Sequence, residues 1–320
     1  MINLYPWQSQ AWQQFVELKQ QQRLPHALLL TGVHGLGKNS FTQKLTKSVL
    51  CISDNDDACG VCHSCQLFEA GNHPDHSEIK PEESGKQIKI EQIRQLINKQ
   101  QLTPTVSNWK TVVISPAYAM NVNANNSLLK LLEEPQQNTL IVLVTSKPEQ
   151  MPITVKSRCQ NIHMTTPSFN EAIEWISQSS DYQKDNVTEK ILRLAKGAPL
   201  AAIEILDSQG AEQYQQLDQD FNDILSTRVN PITLAAKWQQ FDLTQVINQL
   251  QYNVKDRIIS TQVEANDNPT SRAENKQYWK VLDCIIETTK LLSSQNNINK
   301  TLLIESFIVT IMQLTDKTNS

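Results

Sequence analysis

Two clusters in this chain have the residue types and spacing that chemistry requires. The first is Gly32-Val33-His34-Gly35-Leu36-Gly37-Lys38, a G-x-x-x-x-G-K loop. In such a loop the glycines let backbone N–H groups turn inward onto phosphate oxygens, and the lysine neutralises the outer phosphates. Glycine is scarce here, 8 in 320 residues, yet Gly32, Gly35 and Gly37 fall within six positions, so composition does not explain the cluster. The alternative is an ordinary glycine-rich turn between strand and helix. The position after the lysine should be Ser or Thr, whose hydroxyl holds the magnesium of the nucleotide; it is Asn39, and Ser40 comes one residue too late. The second cluster is Cys51-x7-Cys59-x2-Cys62-x2-Cys65. Its overlapping C-x2-C spacings let successive thiolates reach one ion from a tight turn, the arrangement of a closed, structural zinc site. An iron–sulfur cluster, a redox pair and plain buried thiols are the alternatives, with His63 as the substitute ligand within reach, although a solvent-facing His63 is expected. Asp54 to Asp57 forms an acidic turn between the first two cysteines.

The elements that must position these residues follow from periodicity. An amphipathic helix over Gln8 to Gln20 precedes the apolar strand Ala27-Leu28-Leu29-Leu30, and a helix over Phe41 to Leu50 follows the loop. His76 to Lys80 reads as a short extended piece, and Ile88, Ile90, Ile93, Leu96 and Ile97 recur at helical spacing. Thr111 to Ile114 is a buried strand. In a hydrolysing phosphate-loop enzyme it would end in carboxylates, but it ends in Ser115-Pro116. Asn123 to Glu134 forms a helix with Leu128, Leu129, Leu131 and Leu132 inward, stopped by Pro135, and Glu133 and Glu134 read as its solvated end. Thr139 to Thr145 is a further buried strand. Strands alternating with helices imply an α/β domain, a parallel sheet with helices on both faces. Beyond Pro167 three short helices are expected, over Phe169–Ser179, Asn186–Lys196 and Pro199–Leu206, then a polar hinge at Asp207-Ser208-Gln209-Gly210. Residues 211 to 320 repeat apolar residues at helical spacing, as an all-α bundle does, with an exposed loop over Glu264 to Glu274.

A chain of 320 residues suggests two or three domains. Its net charge of −4 leaves no overall basic field to draw nucleic acid, so any DNA contact must come from a local patch or from partners. The start lacks a basic segment followed by an apolar core, and no window reaches membrane-spanning length, so a cytoplasmic protein is expected. Six cysteines in that setting argue for metal or thiol chemistry over a disulfide framework, with Cys159 and Cys284 as small buried residues.

Gly32 to Asn39, the four-cysteine module, Asn126-Ser127-Leu128-Leu129-Lys130-Leu131-Leu132-Glu133-Glu134-Pro135 and Ser157-Arg158-Cys159 together resemble the bacterial DNA polymerase III clamp-loader subunits, in order and spacing, across roughly residues 1 to 205. That AAA+ family contains ATP-hydrolysing motor subunits, gamma and tau, and a related non-hydrolysing subunit. The motor pattern keeps Ser or Thr after the loop lysine, Asp-Glu at the later strand end and an arginine in the lid; this chain has Asn39, Ser115-Pro116 and Leu200. The resemblance therefore implies the non-hydrolysing member, a stator, with a gamma- or tau-like motor as the alternative. It implies a RecA-like AAA+ module over 1–166 with a zinc module at 51–65, a three-helix lid over 167–207 and a helical collar over 208–320. It further implies a five-membered ring with gamma or tau and delta subunits, acting on the sliding clamp and primer-template DNA as part of the polymerase holoenzyme. Arg158, oriented by Ser157, would then be an arginine finger reaching the ATP of a neighbouring subunit. By residue type alone Arg158 is a surface arginine in a salt bridge. A free-standing zinc DNA-binding protein fits poorly, because the cysteine module has acidic residues and no interleaved basic and aromatic ones.

Overall fold

The computed structural model of the chain describes residues 3–315 apart from 54, 84, 101–102, 209, 265–268 and 294–298. Asp54 of the acidic turn and Gln209 of the hinge lie outside the described residues. The chain divides into two compact units, Met1–Asp181 with Ala195–Ala201, and Tyr182–Leu194 with Ala202–Ser320.

The first unit runs α1 (Ser9–Gln20), β1 (Ala27–Thr31), α2 (Lys38–Leu50), α3 (His63–Glu69), β2 (His76–Ile79), α4 (Ile90–Gln100), β3 (Lys110–Ile114), α5 (Val122–Glu133), β4 (Thr139–Val144), α6 (Ile153–Lys156), β5 (Gln160–His163) and α7 (Phe169–Ser179). The strands form one parallel sheet in the order β2-β3-β4-β1-β5. β1, β3 and β4 are buried along their whole length, so their apolar runs show no polar alternation, as strands covered on both faces should. Alternate residues still face opposite ways. Leu29, Val112, Ile114, Ile141 and Leu143 pack with Ile93, Leu96, Leu128 and Leu132 of α4 and α5. Leu28, Leu30, Val113, Val142 and Val144 pack with Phe15, Phe41 and Leu45 of α1 and α2. The α/β expectation holds. Parallel strands stop at one edge, and that edge carries the glycine loop after β1 and Ser115 after β3.

Periodicity did not announce β5. Of its residues only Ile162 is buried, the pattern of an edge strand, and it pairs with β1 alone through Leu28↔Gln160 to Thr31↔His163. α3 was also not expected; Cys62 caps its N-terminus, its sulfur accepting from Cys65 N–H, so a cysteine cap and not an apolar stripe starts this helix.

α8 (Asn186–Leu194) belongs to the second unit and α9 (Pro199–Asp207) joins the two. The second unit continues with α10 (Gly210–Leu225), α11 (Pro231–Trp238), α12 (Leu243–Glu264), α13 (Pro269–Ser293) and α14 (Lys300–Thr315). Its core holds Phe221, Trp238, Leu250, Ile285, Phe307 and Ile308. Asp220 anchors Trp238 by accepting from its Nε1 at 3.0 Å and pairs with Lys237 at 2.7 Å. The loop expected over Glu264 to Glu274 is helical at Glu264 and from Pro269 on: α12 reaches Glu264 and α13 starts at Pro269, a residue that suits a first helical position because its missing N–H needs no partner there. Residues 265–268 lie outside the described residues. Among the described residues no helix is long and apolar enough to cross a membrane. Cys159 and Cys284 are partly rather than fully buried.

Candidate functional site

The loop from Gly32 to Gly37 leaves the end of β1, and Gly37 caps α2 in the left-handed region at φ 74°. Lys38 is buried, and its Nζ donates to the carbonyls of Gly32 and Val33 at 2.8 and 2.7 Å. Burial lowers its pKa to about 8. The loop is enclosed by its own chain. Leu200 N–H, at the start of α9, donates to Gly35 O at 3.2 Å, and a Cβ on Gly35 would lie 2.3 Å from that of Ala201. Only glycine fits there, both for space and for its φ of 83°. On the other side Trp7 Nε1 and Gln8 Nε2 donate to Leu36 O at 3.0 and 2.8 Å, with Trp7 stacked on Tyr5 and edge-on to Trp175.

The side chain after the lysine is exposed, and it is bonded across the edge of the sheet. Asn39 Oδ1 accepts from Ser115 Oγ at 3.1 Å. A hydrolysing phosphate-loop enzyme places a magnesium-binding hydroxyl at the first of these positions and carboxylates at the second. Here a neutral amide and a hydroxyl satisfy each other. Neither offers a charge to a cation or a base to water.

Cys51, Cys59, Cys62 and Cys65 converge, their sulfurs all within 4.8 Å of one another. The Cys51 sulfur lies 3.6 Å from that of Cys59 and 3.9 Å from that of Cys62. Four thiolates about 2.3 Å from one tetrahedral zinc sit about 3.8 Å apart, so the residues fit a metal ion. Backbone N–H groups of Cys59, Cys62 and Cys65 point at the sulfurs of Cys51, Cys59 and Cys62, each at 3.4 Å, as donors to thiolates do. Hydrogen bonds from Ser53 and from the Val61 and Cys62 backbone pull the Cys59 thiol down to about 5, while burial pushes Cys65 up to about 12. Sulfurs this close cannot all ionise unless a cation offsets them. His63 is exposed.

The cluster is tied to the sheet through Ser64, whose Oγ donates to Leu50 O at 2.6 Å and meets His73 Nε2 at 2.8 Å. His73 Nδ1 accepts from Asp75 N–H at 3.1 Å, which fixes the proton on Nε2. Next in the chain, His76 meets Thr111 Oγ1 at 2.9 Å and the Phe68 ring edge-on, and burial lowers its pKa to about 4. Between pH 6.5 and 4 the unfolded chain takes up a proton at His76 that the folded chain refuses. Stability present above that window is therefore lost as pH falls through it, by up to about 3 kcal/mol. Asp75 acts lower down: burial raises its pKa, but donors from Ser107, Val106 and Thr105 outweigh this and hold it below the usual value. Urea titrations at stepped pH should show the wild-type midpoint dropping from pH 6.5 to 4 and a His76→Gln midpoint dropping less; equal slopes would remove His76 as the cause.

Arg158 follows α6 on the surface. Its Nη1 donates to Thr154 O at 2.9 Å and to Ser157 Oγ at 3.5 Å, and its Nη2 pairs with Glu133 Oε1 at 2.7 Å. Glu133, read from sequence as a solvated helix end, is thus the arginine's partner. Nothing local signalled this, because Glu133 ends α5 and Arg158 follows α6, 25 positions later in the chain.

The protein family described as DNA polymerase III, delta subunit, matches residues 7–168. The delta prime subunit of DNA polymerase III from Pseudomonas aeruginosa is 29% identical over 323 residues, covering 97% of both chains. That from Haemophilus influenzae is 30% identical over 252 residues, 79% of this chain and 75% of its own. The tau subunit from Escherichia coli is 33% identical over 143 residues, 44% of this chain and 22% of its own. The chain belongs to the delta prime family of DNA polymerase III clamp-loader subunits.

Proposed function

We propose that this chain is a non-hydrolysing stator of the clamp loader, which lends Arg158 to the ATP site of a neighbouring subunit while the complex loads the sliding clamp onto primed DNA. The observation that carries the non-hydrolysing half is the Asn39–Ser115 hydrogen bond, which joins the two positions that would otherwise hold magnesium and activate water. Lys38 turned onto its own loop supports the same reading, since a phosphate would have to draw its ammonium away from the Gly32 and Val33 carbonyls. The gamma- or tau-like motor draws on the intact Gly32 to Lys38 spacing, but nothing after β3 can serve as base.

The partners on this reading are gamma or tau and delta subunits in a five-membered ring, in the cytoplasm, with clamp and primer-template DNA met through the complex. Helices of the second unit expose Ile232, Trp279 and Leu302, apolar surface suited to packing against neighbours in a collar. The four cysteines hold a structural zinc on the same reading, since four sulfurs close its tetrahedron and leave no open position.

The isolated protein with magnesium and ATP should turn over no faster than a Lys38→Ala variant. Phosphate release clearly above that control would end the non-hydrolysing reading.

A further inference from the structure

Arg158 does not present an open fork to solvent. Both terminal nitrogens of its guanidinium are engaged within the chain, Nη1 by Thr154 O at 2.9 Å and Nη2 by Glu133 Oε1 at 2.7 Å. Glu133 is the last residue of α5, while Thr154 lies in α6, so the arginine is held between two elements. We propose that Glu133 is a positioning residue that stows Arg158 as a neutral pair, released when the polyphosphate of a nucleotide on a neighbouring subunit takes the carboxylate's place. This rests on Arg158 acting in trans as proposed above.

The chemistry sets the direction. An arginine paired with a carboxylate has little net charge to offer, and a carboxylate at hydrogen-bond distance from the guanidinium repels an approaching phosphate. A phosphate oxygen competes for the same planar donors and binds them in the same geometry, so exchange needs no rebuilding of the site. The pair is solvated, with the side chains 36% and 51% exposed, so it is a weak latch. A pair of this kind biases the stowed state by at most about fivefold, which a nucleotide can overcome by mass action.

The test uses the whole complex, assembled so that only the ATP site bordering this subunit is competent for hydrolysis. Glu133→Gln keeps the shape and the acceptor oxygen of Glu133 but removes its charge. The expected result is a KM for ATP two- to fivefold lower (about the latch weight), with kcat unchanged within about twofold. The difference should narrow at high salt, where the wild-type pair is already screened. In an Arg158→Ala background Glu133→Gln should change nothing. An unaltered KM, or a lower kcat at constant KM, would overturn the latch and leave Glu133 a bystander or a fixed prop. If Arg158→Ala alone leaves hydrolysis and clamp loading at the original rate, the trans-arginine reading itself fails, and that outcome is separable because it does not involve Glu133.

Discussion

An Arg158→Ala chain assembled with its neighbours should keep its fold and its place in the complex yet load clamps at least about tenfold more slowly. The fold should survive because alanine removes only a half-exposed ion pair with Glu133 and hydrogen bonds to Thr154 and Ser157. Exposed pairs contribute about 0–1 kcal/mol. The functional loss is larger because a guanidinium delivered to a phosphoryl group in flight stabilises charge that develops only in the transition state, roughly three to five orders of magnitude in rate at one site in GTPases. In the proposed ring the other ATP sites do not border this subunit, so total ATP turnover should fall only in part. Loading, which needs the sites to act together, should fall further. Arg158→Lys is the sharper variant, because an ammonium supplies the charge without the planar fork. DNA-stimulated ATPase and clamp loading measured side by side check both. Full rescue by lysine would reduce the argument to a point charge, and loading at the original rate with alanine would leave Arg158 as a surface residue.

The second large effect concerns the metal. The protein should carry one zinc per chain, and a Cys62→Ala, Cys65→Ala double variant should carry none. Structural zinc contributes about 10–16 kcal/mol of apparent binding energy in small zinc domains, though here only the share coupled to the first unit reaches its global stability. That coupling has a visible route. Cys65 is buried, its neighbour Ser64 bonds Leu50 O at the end of α2 and His73 before β2, and Lys47 of α2 pairs with Glu69 of α3. Losing the ion should therefore unfold the segment from Cys51 to Glu69 and lower the stability of the first unit by several kcal/mol. Metal analysis of the purified chain, followed by hydrogen exchange with and without chelator, tests this. Absence of zinc, zinc retained by the double variant, or unchanged protection of α3 after chelation would each count against a structural zinc.

Much of the first unit is legible in the sequence alone. β1, β3 and β4 are apolar runs of strand length bounded by Gly, Pro or Asn, and the helices between them have clear 3.6-residue periodicity. The four cysteines are legible because their ligation geometry is local: a turn and the start of a helix bring all four sulfurs together. β5 is not, since an edge strand with one buried residue carries too little apolar pattern to stand out from a loop. The start of α13 at Pro269 is hidden by the proline itself, which breaks a helix from inside but opens one at its first position.

The sequence by itself determined which residue types stand where a hydrolysing phosphate-loop enzyme has its magnesium-binding hydroxyl and its carboxylates: Asn39, Ser115 and Pro116. It also determined that a guanidinium stands at 158 and four thiols at 51, 59, 62 and 65. Only the tertiary structure decided what occupies the gaps. Asn39 and Ser115 are 76 residues apart and meet because the start of α2 and the end of β3 lie at the same edge of a parallel sheet. Glu133 meets Arg158 because α5 and α6 pack together. Gly35 meets α9 across more than 160 positions of chain. Such pairs come from strand order and helix packing, which depend on burial summed over the whole core, and so no local pattern of residues encodes them.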